Sequence, residues 1–155
     1  MNLISKIFNS GNSIIICPRC LGKGNVNWDD IKRLKKELKW IPGSCAYCNG
    51  KGKVNSQMEK SVAVDSTYLV NSLSKEERTR FIKNDPDALE RAQKYDSQVD
   101  DFLDQIRYLH FEGKLNINQI AEFYLISKSS YDSYEKEKTT LINYIDRVIQ
   151  IKKEK

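Results

Sequence analysis

Among its 155 residues the chain has one histidine, three prolines and seven glycines. From residue 61 onward glycine occurs only at Gly113 and proline only at Pro86, so that part of the chain has almost no turn punctuation and reads as helices. A lone His110 leaves no second imidazole for a general-base pair or a histidine metal site. No glycine loop that could cradle a phosphate precedes a helix, and no histidine neighbours a nucleophile, so an enzyme is not expected. No apolar run approaches the roughly 20 residues that cross a bilayer. Met1 to Ser10 carries one lysine and a brief apolar run without a small-residue cleavage site. A soluble, cytoplasmic protein with no membrane partner is the expectation.

Cysteine is also scarce, but its placement is informative. All four cysteines fall in two copies of one pattern, Cys17-Pro18-Arg19-Cys20-Leu21-Gly22-Lys23-Gly24 and Cys45-Ala46-Tyr47-Cys48-Asn49-Gly50-Lys51-Gly52. Each pair can present two sulfurs from a tight turn, and the following glycines permit the positive φ that turns amides toward sulfur. Two such knuckles supply four thiolates, Cys17, Cys20, Cys45 and Cys48. That is enough to close a tetrahedral zinc site with no position left for water, so one structural Zn²⁺ is expected. Disulfides or free buried thiols are the alternatives, and neither explains a matched pair of Cys-x-x-Cys-x-Gly-x-Gly turns.

These two segments resemble the C-x-x-C-x-G-x-G repeats of the cysteine-rich domain of DnaJ-type co-chaperones. That family has four repeats and two zinc ions in an extended module of β-hairpins that contacts unfolded polypeptide and a partner chaperone. Here there are two repeats, which implies one zinc. Cys20 and Cys45 are separated by 24 residues, somewhat more than in the family's central pair. The resemblance covers about residues 14 to 55, and no His-Pro-Asp tripeptide of a J domain occurs in the chain.

The expected architecture is mainly α: a small zinc-stapled β-hairpin module at 1–56, a polar linker at 57–66, and a helical domain at 67–155 forming a hairpin or small bundle. Up to residue 60 the chain carries 11 Lys+Arg against 4 Asp+Glu, a formal +7; from 61 onward it carries 15 against 17, or −2. The basic end is the zinc end, which suits an acidic partner.

Ser13-Ile14-Ile15-Ile16 enters the first knuckle and Lys53-Val54-Asn55 leaves the second, so the two segments should pair across the metal. Asn27 can cap a helix with Asp29 and Asp30 in its first turn, ended by Pro42-Gly43. On that helix Ile31, Leu34 and Leu38 would share one face and Lys32, Lys35, Lys36 and Lys39 another, flanked by Trp28 and Trp40. Those tryptophans either roof the metal module or, with the lysines, form a binding face.

Further on, Ser66 to Ser72 suggests a helical turn, and Ser74 with Glu77 opens a helix to about Lys83. Asp85 caps the next, with Pro86 in its first position. Ala88, Ala92, Tyr95, Val99, Phe102, Ile106 and Leu109 form a seam on a helix of residues 85–112 that could pack on the last helix or on a second copy of the chain. After Gly113, Asn116 with Gln119 starts a helix to Tyr124. Another runs from Lys128 to about Lys152, with Tyr131, Tyr134, Leu141, Ile145 and Val148 inward. Ile117 to Tyr131 is similar to the helix-turn-helix of DNA-binding regulators, with Ile126-Ser127 as the turn. Yet the second helix mixes Asp132, Glu135 and Glu137 with Lys128, Lys136 and Lys138, and a plain helical hairpin explains the same spacing.

Together these residues point to a non-catalytic zinc-binding adaptor or co-chaperone-like protein that binds a protein partner or unfolded polypeptide. The alternative is a small zinc-containing DNA- or RNA-binding regulator.

Overall fold

The computed structural model describes residues 13–125 and 131–153, and these are mainly helical. Four short strands surround the cysteines: β1 (Ile14–Ile16), β2 (Asn25–Val26), β3 (Gly43–Ser44) and β4 (Lys53–Asn55). The helices are α1 (Trp28–Arg33), α2 (Ser56–Ser61), α3 (Lys75–Ile82), α4 (Pro86–Phe111), α5 (Ile117–Leu125) and α6 (Tyr131–Lys153). By contact the chain divides into two compact units, Met1–Asp96 and Ser97–Lys155, with the division inside α4.

In the first unit β1 pairs antiparallel with β4, Ile15 opposite Val54, as expected from the two arms. A second pair, β2 with β3, joins the exit of the first knuckle to the entry of the second. Helix α1 starts as read: the Asn27 side chain accepts from the Asp30 amide and Asp30 accepts from the Asn27 amide, a reciprocal capping box. It stops far short of Pro42, however. Lys35 adopts φ +57, its amide bonding the Lys32 carbonyl and that of Lys36 the Ile31 carbonyl. This is a Schellman stop with lysine where glycine is usual. The four lysines therefore do not line one helical face. Lys32 and Lys35 are exposed, Lys39 is half-buried, and Lys36 is half-buried and donates to Thr67 Oγ1 at 3.1 Å.

Residues 57–66, expected to be a linker, are folded onto the cysteine module. α2, capped by Asn55, occupies the first of them. Val62 is buried, and Met58 and Val64 pack against the same apolar core as Ile31, Trp40, Tyr47 and Val54. The composition misleads because the polar residues here face water while three apolar ones carry the packing. That core continues through Tyr68 and Leu69 to Phe81 of α3 and to Ala88 and Ala92 of α4. Tyr68 lies edge-on to Phe81 and donates to Glu77 Oε1 at 2.9 Å, and Arg91 bonds both oxygens of the same carboxylate.

The expected starts of α3 and α4 are as read. Ser74 Oγ accepts from the Glu77 amide, and Asp85 Oδ1 accepts from the amides of Asp87 and Ala88 with Pro86 first in the helix.

In the second unit, α4 buries Leu103 and Ile106, α5 buries Ile120, Ala121 and Leu125, and α6 buries Ile145, Val148 and Ile149. Phe102 stands edge-on to Tyr124 and stacks on Tyr144. Asn116 and Gln119 cap α5 reciprocally at 2.9 Å each way. Helices α5 and α6 pack on one another, with Lys138 paired to Glu122. The Ile126-Ser127 turn of the helix-turn-helix reading, the expected start at Lys128 and the Tyr131 side chain lie outside the described residues. No helix of the described residues is long and apolar enough to cross a membrane.

Candidate metal centre

The two knuckles are built alike, 28 positions apart. After the second cysteine of each, the chain passes through left-handed residues, Leu21 and Gly22 in one and Asn49 and Gly50 in the other. The amide of the last glycine then returns to that cysteine's sulfur: Gly24 N–H to Cys20 Sγ at 3.2 Å, and Gly52 N–H to Cys48 Sγ at 3.1 Å. The copies also brace one another. Cys17 N–H donates to the Gly52 carbonyl at 2.8 Å, and Cys45 N–H to that of Gly24 at 3.0 Å.

These reciprocal contacts explain the glycine pattern. A Cβ on Gly24 would lie 2.5 Å from the Gly50 carbonyl oxygen, and one on Gly52 would lie 2.4 Å from that of Gly22. Gly24 and Gly52 also have φ of +78 and +77. Both conformation and space require glycine there.

The result brings Cys17, Cys20, Cys45 and Cys48 together, all four sulfurs within 4.8 Å of one another and buried. Cys17 to Cys45 and Cys20 to Cys48 are each 3.8 Å. A disulfide would need about 2.05 Å, whereas a tetrahedron of sulfurs about 2.3 Å from a central ion has edges of about 3.8 Å. The thiols are strongly interdependent. The contact with Cys45 holds Cys17 below the usual thiol range, while the same contact together with burial pushes Cys45 up. Burial also raises Cys20. A cation in the centre would favour all four thiolates at once.

Around the sulfurs lies a shell that the motif alone did not disclose. Arg19, between the first two cysteines, is 2% exposed and holds its guanidinium 4.2 Å from the Trp40 ring centre and 5.3 Å from that of Tyr47. Burial lowers its pKa to about 10, opposed by the charges of Cys45 and Cys17. The Tyr47 hydroxyl donates to the Val62 carbonyl at 2.8 Å, and burial pushes it up to about 12, so it remains a phenol. Asp30 is buried. Burial alone would raise it, but bonds from Lys23 at 2.9 Å, the Asn27 amide and Arg33 outweigh that and lower it.

One signal was available. The first sixty residues hold nine lysines but only two arginines, Arg19 and Arg33, and Arg33 donates to the Arg19 carbonyl at 2.6 Å. A planar guanidinium fork is what a carbonyl-lined site selects. Of the two tryptophans, Trp40 is buried beneath Arg19, whereas Trp28 is 43% exposed. Comparisons with family models, with curated proteins and with solved structures gave no match.

Proposed function

We propose that the chain is a non-catalytic zinc-stapled adaptor, in which the knuckle module presents a rigid surface to a protein partner, as its likeness to DnaJ-type cysteine-rich repeats implies. One observation carries this reading: four buried cysteine sulfurs within 4.8 Å of one another. Four thiolates fill a tetrahedral ion's coordination, so no position remains for an activated water or a substrate, and the ion's role is to hold shape. Zinc is the ion such a set favours. The same module exposes Ile14 and Ile16, 66% and 64%, together with Leu21, which supply apolar contact for an unfolded or extended polypeptide. Unbridged thiols suit the reducing cytoplasm.

A second reading rests on Trp28, exposed on α1 near the exposed Lys32 and Lys35, an aromatic-and-basic pairing that suits DNA or RNA. Metal analysis of the purified chain should return one zinc per molecule. Capture of partners with and without nuclease, across a salt series, then separates the readings. Protein partners that survive nuclease and Lys32→Glu/Lys35→Glu support the adaptor. Nucleic acid that is lost on charge reversal and weakens steeply with salt supports the regulator and overturns the adaptor.

A further inference from the structure

Residues 62–69 have no helix or strand of their own, yet their carbonyls are satisfied almost one after another by side chains of the cysteine module. Tyr47 donates to the carbonyl of Val62 and Trp40 Nε1 lies 3.4 Å from that of Thr67. Arg19 takes three: Nε to Val64 at 2.8 Å, Nη2 to Ser66 at 3.1 Å and Nη1 to Leu69 at 2.6 Å. Buried carbonyls require such partners, and a segment without internal hydrogen-bond ladders cannot supply them. Arg19 thus joins the metal centre to a strap that leads into α3.

We propose that Arg19 is a latch through which metal occupancy at Cys17, Cys20, Cys45 and Cys48 sets whether residues 62–73 are docked, making the strap a metal-gated element of the surface presented to partners. This rests on the reading of the cysteines as a metal site. A bound divalent ion with four thiolates carries a net −2 next to the buried guanidinium, so the ion fixes the knuckle that aims Arg19 and also offsets the cost of burying its charge. Without the ion, both the aim and the offset are lost and the strap carbonyls lose their donors together.

Amide hydrogen exchange on the full chain tests this, with cobalt substitution as the check on the site itself. In the zinc-loaded protein the Ser66 and Val70 amides, bonded to the Ala63 and Tyr68 carbonyls, should be protected. Chelation should speed their exchange by about tenfold or more, and Arg19→Met should do the same with zinc still bound. Arg19→Lys, which keeps the charge but not the fork, should recover part of the protection. Unchanged exchange at Ser66 and Val70 on chelation overturns the latch even if Arg19→Met fails to fold. Equal protection in zinc-loaded Arg19→Met and parent also overturns it. A cobalt-loaded protein without tetrahedral thiolate absorption overturns the metal reading, and the latch with it; a normal cobalt spectrum with an unresponsive strap overturns the latch alone.

Discussion

The glycines of the knuckles give the sharpest test at the scale of single residues. Gly24→Ala and Gly52→Ala each place a Cβ against the opposite knuckle's carbonyl and impose φ near +78 on a residue that resists it. Each should lower the stability of the first unit by about 2–4 kcal/mol and weaken metal retention in a competition with a chelator. Gly43, where an added Cβ meets only the Asn71 amide at 3.8 Å, is the control and should tolerate alanine in the same assay. Cys45→Ser removes one of four ligands and should abolish stoichiometric zinc; a variant with full metal content and parental stability would rule out the four-sulfur site. Asp30→Asn leaves Lys23 and Arg33 facing a neutral amide and the Asn27 amide with a poorer acceptor, so a loss of about 1–3 kcal/mol is expected in denaturant unfolding.

At the scale of elements, caps and strand arms were legible because their signals are local. Asn27, Ser74, Asp85 and Asn116 each cap where a polar side chain can reach an amide two or three residues on. The end of α1 was not legible. It depends on Lys35 entering the left-handed region so that Lys36 and Trp40 can turn toward Thr67, a tertiary demand that no residue near Lys35 announces. The seam of α4 was legible as a pattern but not in its use. Ala88 and Ala92 join the core of the first unit, while Phe102 and Ile106 serve the second, so one period feeds two cores within the same chain. Leu103, buried beside that seam, was missed because the alternation of four and three assigns that turn to Phe102, although Leu103 stands four residues after Val99 and three before Ile106. Phe102→Asp sets a charge between Tyr124 and Tyr144 and should melt α5 and α6 while leaving metal binding intact. Circular dichroism and a zinc assay on the same sample check both halves, and retained helicity would show that Phe102 is not central to that core.

Across the whole molecule, the four cysteines belong to one unit and not to the other, and this separates the two units' responses to removal of a metal, whether by chelator or by acid. Metal binding requires deprotonated thiolates, so affinity falls as pH falls and protons compete for sulfur. The first unit should therefore lose stability with decreasing pH well before its carboxylates titrate. Asp30 acts in a different window: its folded pKa lies below the unfolded value of about 3.9, so its contribution is present above that value and is lost only as pH falls through the lower, folded one. The second unit, Ser97–Lys155, contains no cysteine and should be indifferent to chelator. Thermal unfolding of the full chain should accordingly show two transitions. Chelator should move the transition of the first unit down by ten degrees or more, as loss of several kcal/mol from a domain of this size implies, and leave the other in place; a shift from neutral pH to about pH 5 should likewise lower the first transition. A single transition that shifts as a whole would mean that the two units fold as one, with α4 transmitting the metal's effect through the chain.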